Sequence, residues 1–257
     1  MPPDLATLRA RIARLERPPA RERQAPLRFG LAALDTALPS GGLAHGGLAR
    51  GALHEIAGTG AEAEHGAAAA LFLAALLART PGPVLWVQER ADLFAPGLAA
   101  MGLAPERVIQ VEAGRGETVL AVLEDGLRQP ALLAGVGEIS GPVALAASRR
   151  LALAAAASGV TGFLLRRPWR AEAAALAAPS AALTRWRIGA LPSAPPFADA
   201  PEIEGLGPAR WRVELWRARG GVPAVFVVEG GHGSGGLRLV ALGENGPAAP
   251  GRRRAAG

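Results

Sequence analysis

The chain has 257 residues, half of them hydrophobic, which is ample for one large core with attachments. It has no cysteine, which excludes disulfides, thiolate zinc sites and a cysteine nucleophile. All 28 basic residues are arginine, and the net charge of +6 sits at the ends: 1–23 carry six Arg against three acids and 252–254 three Arg, leaving 19 Arg against 19 acids between. Any nucleic-acid contact of the kind a basic protein invites is thereby confined to the periphery.

Residues 4–17 place Leu5, Leu8, Ile12 and Leu15 at helical spacing, with Arg9, Arg11, Arg14 and Arg17 mostly off that stripe. Pro18 and Pro19 end this predicted helix, so 1–26 read as a basic amphipathic helix and linker. Such a helix packs on its own domain, docks to a partner or a second copy, or, third, meets nucleic acid. Residues 27–190 then alternate apolar runs (52–58, 83–89, 107–113, 131–139, 160–166) with predicted helices (63–79, 91–102, 115–128, 142–158). Continuous apolar strands separated by helices imply a parallel sheet covered on both faces, with ligands at the carboxyl ends of its strands.

The stretch 189–209, rich in Pro, Gly and Ala, reads as a long loop. In 210–218, Trp211, Val213 and Leu215 alternate onto one face, and 222–229 and 237–242 follow across short Gly-rich turns. That pattern predicts an antiparallel meander added to the edge of the main sheet. The domain is therefore expected over 27–242, with the meander at 210–242 and an Arg-rich, disordered tail at 243–257. The N-terminus is charged where a signal peptide would be apolar, and the most apolar stretch, 66–78, is too short to span a bilayer. A cytoplasmic protein with no membrane contact is expected.

Where the first strand meets its helix, the turn carries Gly58, Gly60 and Gly66. A working phosphate loop, GxxxxGK[ST], cradles phosphates on backbone N–H groups, neutralises them with Lys and holds Mg²⁺ with Ser or Thr. Here those last two positions fall on Glu64 and His65 or, in a shifted alignment, on Gly66 and Ala67. Glu62 and Glu64 suit the positive end of the helix but would repel a phosphate there. The reading is a degenerate nucleotide site, with no cofactor, no metal and no catalytic residue. Glu89 and Glu138 stand where some ATPases keep a water-activating and a Mg²⁺-holding acid, although acids also end strands where the edge meets solvent.

Other constellations are weak. His45, His54, His65 and His232 show no metal-ligand spacing, and His54, within a strand, reads as a hydrogen-bonded structural residue. Gly231, Gly233 and Gly236 match GxGxxG but lie between two strands, as a hairpin turn. Trp169, Trp186, Trp211 and Trp216 could stack bases; sheet tryptophans with Arg packed over them are the commoner case.

The segment FGLAALDTALPSGGLAHGGLARGALHEIAG (29–58) is similar to the opening of a RecA-type core. VLWV (84–87), DLFAPGLAAMGL (92–103), SRRLALAAAASGVTGFLLR (148–166), TRWRIGALPSAP (184–195) and RWRVELWRARGG (210–221) follow in an order that resembles the ImuA family, RecA-like factors of bacterial SOS mutagenesis, across 27–242. The resemblance implies an α/β, RecA-like three-layer core with a mostly parallel sheet, a C-terminal antiparallel meander and an N-terminal helix. It implies a non-catalytic adaptor with a degenerate phosphate loop in translesion DNA synthesis after DNA damage. Its partner would be ImuB, a Y-family polymerase homologue, and indirectly an error-prone C-family polymerase, with RecA or DNA as further candidates. Arg9, Arg11, Arg14, Arg17, Arg252, Arg253 and Arg254 are candidate DNA or partner contacts. Arg210, Arg212, Arg217 and Arg219 are candidate partner-binding residues on the meander. A divergent RecA-like ATPase and a SulA-like cell-division inhibitor that binds FtsZ share part of the pattern and stay open.

Overall fold

In the computed structural model the nine strands among the described residues join one sheet: β1 (Leu53–Gly58), β2 (Val84–Gln88), β3 (Val108–Glu112), β4 (Ala134–Ile139), β5 (Thr161–Arg166), β6 (Thr184–Leu191), β7 (Arg210–Ala218), β8 (Ala224–Gly230) and β9 (Leu237–Leu242). The structure describes residues 24–38, 46–60, 62–167, 178–197, 199–200, 202–219, 221–231 and 236–243, except the side chains of 62–64. The expected N-terminal helix and Arg-rich tail, with Arg9, Arg11, Arg14, Arg17, Arg252, Arg253 and Arg254, lie outside them, as do Trp169, His45 and His232.

The strand order is β3-β2-β4-β5-β1-β6-β7-β8-β9. β3 through β6 in that order pair in parallel, and β7, β8 and β9 add antiparallel. β1, β2, β4 and β5 are buried along their whole length, which is why they read as unbroken apolar runs.

Helices cover both faces. On one lie α1 (Ala32–Ala37), α2 (Glu62–Ala78) and α3 (Ala95–Ala100); on the other, α4 (Gly116–Leu127) and α5 (Leu145–Ser158). α2 is apolar nearly all round because it is sandwiched: Ile56, Trp186 and Trp211 of the sheet lie beneath it, and Leu27, Phe29 and Leu34 belong to the same core. Phe29 stacks on Phe72 at 5.3 Å between centroids, and Trp211 meets Phe72 edge-on at 6.3 Å. On the opposite face α4 sits close, because Gly135 and Gly137 leave room for it. A Cβ at either would stand 2.8 Å from a Leu123 methyl.

Two boundaries differ from the sequence reading. The helix expected over 91–102 contracts to α3, because Pro96 falls in its first turn and disfavours helical backbone before it. The expected loop over 189–209 begins later, since β6 runs through Leu191. β6 was not anticipated as a strand. It joins the parallel sheet to the meander, with Trp186 and Ile188 in the core.

Candidate functional site

β1 ends at Gly58 and α2 begins at Glu62, so the glycine turn does connect a central strand to a helix at the carboxyl end of the sheet. His65 packs against that turn. A Cβ on Gly58 would stand 3.1 Å from His65 Cβ, and one on Gly60 2.8 Å from His65 Cδ2. The ring is held by β6, where the Ala190 N–H donates to His65 Nδ1 at 3.1 Å. The Thr59 N–H, an amide of the same turn, donates to Ile188 O at 3.1 Å. The glycines therefore make room for an imidazole, and one turn amide is spent on the sheet. Gly66 is buried inside α2.

The two strand-end acids are also engaged. Glu138 accepts the Trp86 indole N–H at 2.6 Å and an Arg167 N–H at 2.6 Å. Burial raises its pKa above the usual carboxylate range, and the Arg167 and Trp86 contacts offset this only in part. Arg167, immediately after β5, also donates to Asp92 at 2.8 Å and so ties the loop after β2 to β4. Glu89 turns the other way, toward Gly116 at the start of α4, and accepts the Ser140 N–H at 3.2 Å and the Ser140 hydroxyl. Both acids rim one shallow depression with Asp92, Ser140 and Arg167, and both Glu138 oxygens and Glu89 Oε2 serve internal donors. Among the described residues no cluster of three or more His, Asp or Glu could hold a metal ion.

The sequence did not flag Ser140, Asp92 or Arg167, nor the buried ionic group on β1. Glu55 is 3% exposed. It accepts from Arg166 Nη1 at 3.1 Å, and Arg185 Nε lies 2.9 Å from its other oxygen, near enough for charge attraction though not aligned as a hydrogen bond. The only sequence signal for this group was arginine inside apolar strands.

Asp35, in the LD segment that marked the resemblance, has a structural role. Its carboxylate accepts the Phe29 and Gly30 N–H groups at 2.8 and 3.0 Å, closing the turn before α1. His54 is hydrogen-bonded and buried, as read from the sequence, while Trp186 and Trp211 are core residues of the sheet and the arginine packing expected over such rings is found at Trp216. The Gly231 N–H, after β8, donates to Gly236 O, before β9, at 2.6 Å, and Gly233 lies outside the described residues. Of the meander arginines, Arg210 pairs with Glu229 and Arg212 with Glu214, both at 2.6 Å, while Arg217 and Arg219 are exposed.

A nine-stranded sheet of this order, with a glycine turn leading from its central strand into a helix, defines a RecA-like α/β core. The crystal structure of the RadB recombinase superposes with a TM-score of 0.53 over 78% of this chain and 94% of that one, at 17% identity, a likeness of fold. No family model matches the chain. Protein ImuA from each of two strains of Caulobacter vibrioides is 44% identical over 225 residues, spanning 83% of this chain and 88% of theirs. The chain belongs to the ImuA family. No helix among the described residues is long and apolar enough to cross a membrane.

Proposed function

We propose that this protein is a non-catalytic, RecA-like adaptor in damage-induced translesion DNA synthesis, acting with an ImuB-type homologue of Y-family polymerases and, indirectly, an error-prone C-family polymerase. One observation carries the reading. In a chain without lysine, the imidazole of His65 packs against Gly58 and Gly60, the glycines that would otherwise open a phosphate cradle. Family membership and the internal pairing of Glu89 and Glu138 support it. An adaptor needs a stable fold and a surface, and it can lose its nucleotide.

Thermal unfolding with and without MgATP tests the reading, alongside a lysine-bearing RecA-type control. A ligand at about 100 times its Kd adds roughly 2.7 kcal/mol, which in a chain of this size raises Tm by roughly 5–10 °C. No shift is expected. A shift of that size restores the divergent-ATPase reading, and inhibition of FtsZ polymerisation by the purified protein would favour the division-inhibitor one.

A further inference from the structure

On the side of the sheet away from α2, β6 and β7 bring Arg185, Arg187 and Trp216 together. Alternation along β6 sends Trp186 and Ile188 into the core, which puts the two arginines on the outer face. The register against β7 slips between Arg185 and Trp186, at the level of Trp216. The Arg187 guanidinium lies 4.0 Å from the Trp216 ring centroid and that of Arg185 5.0 Å. With Glu55, Ala57 and Trp186, these three side chains line a small open pocket.

The charges in this pocket do not balance. Its one carboxylate, Glu55, is already shared between Arg166 and Arg185. Arg185 also donates to Ala178 O at 3.0 Å. Arg187 makes no hydrogen bond or ion pair with any described residue, and its Nε is buried without an acceptor. Glu214, opposite Arg187 in the β6–β7 register, supplies a counter-charge but no ion-pair contact, and one of its oxygens is held by Arg212 Nε at 2.6 Å. The Arg187 Nη groups also lack a described partner but are open to solvent, so they are the donors a partner's acceptor can meet. Stacking on Trp216 holds its fork in one plane beforehand, so less entropy is lost on binding.

A planar, bidentate acceptor with an apolar neighbour fits such a fork, and a protein carboxylate supplies that. A nucleic-acid backbone would instead need a row of free cations. Arg210, Arg212 and Arg238 on the same face are already engaged by Glu229 and Glu214. We propose that the Arg187–Trp216 pocket receives an acidic side chain from a segment of a partner protein. Arg with Trp is also the pair enriched among binding hot spots. The proposal rests on the adaptor reading and names its surface as β6 and β7.

Fluorescence anisotropy on the full chain tests it, with three labelled probes: a ten-residue peptide of Glu, Asp and Leu, its Gln/Asn counterpart, and a ten-nucleotide oligo-dT. The acidic peptide is expected to bind more tightly than its amide counterpart. Arg187→Ala should weaken that binding at least tenfold, Trp216→Leu several-fold, and Arg28→Ala, an exposed arginine ahead of α1, less than twofold. Equal affinity for acidic and amide peptides, equal losses for Arg187→Ala and Arg28→Ala, or oligo-dT binding that alone depends on Arg187 would each overturn the proposal. If MgATP raises Tm while peptide binding still needs Arg187, the pocket stands and the non-catalytic reading falls. Absence of both effects removes the pocket alone.

Discussion

His54 Nδ1 and the Thr184 hydroxyl, 130 residues apart in the chain, share a 2.7 Å hydrogen bond whose direction is fixed from both ends. The Trp186 indole N–H donates to Thr184 Oγ1 at 2.8 Å, and His54 Nε2 lies 3.0 Å from Ala49 O, which can only accept. The imidazole proton is therefore on Nε2, and the threonine proton points at Nδ1. His54 is buried between β1 and β6 as a neutral ring.

Acid should therefore destabilise the protein through His54. Burial pushes its pKa down to about 4 from an unfolded value of 6.5. Between those values the unfolded chain binds the proton and the folded one does not, so stability rises with pH up to about 7 and falls toward 4. At pH 5 the loss is about 2 kcal/mol relative to pH 7.5. Urea unfolding at the two pH values measures it, and His54→Gln should show a smaller difference.

The turn at the end of β1 makes a steric prediction. A methyl on Gly60 meets the His65 ring, so Gly60→Ala should displace the imidazole, break its bond to Ala190 and cost about 1–2 kcal/mol. In the His65→Ala background the same change should cost much less. A double-mutant cycle showing additive costs would mean that the two residues do not touch.

Glu55 lies between two arginines that are themselves 4% and 5% exposed. Glu55→Ala leaves both cations buried without their shared carboxylate, and the expected loss is roughly 3–5 kcal/mol. Substituting all three by apolar residues of similar size should recover most of it, as read by chemical denaturation.

Arg107 closes the other end of α2. Its guanidinium donates to the carbonyls of Leu77, Ala78, Thr80 and Gly82, at 2.5 to 3.4 Å, where the helix leaves its last acceptors unpaired. Arg107→Ala should cost about 2 kcal/mol, in the range of a charge-assisted bond, and Arg107→Lys should recover only part of that. Amide exchange at the end of α2 should quicken in both variants.

The parts of the fold legible in sequence were those whose signal is local. β1, β2, β4 and β5 are buried on both faces and read as apolar runs, and the alternation of Trp211, Val213 and Leu215 gave the facing of β7. β6 was missed because its outer positions carry Arg185 and Arg187, which mask a strand whose inner positions are Trp186 and Ile188. The missing lysine was plain to see. What packs against the glycine turn was not, because His65 is fixed by an amide 125 residues away. The Glu55 group escaped for the same reason, Arg166 being 111 residues distant.

The central place of β1 also sets a schedule. Of the described strands it is the first to be synthesised, yet its neighbours are β5 and β6, so one edge stays open until Arg166 has emerged and the other until Leu191. At ribosomal rates that wait is on the order of ten seconds, with an apolar strand and the greasy α2 exposed. A nascent chain with this topology is therefore expected to need that strand and helix shielded over the interval, and its folded yield to rise when a holdase chaperone is supplied during synthesis.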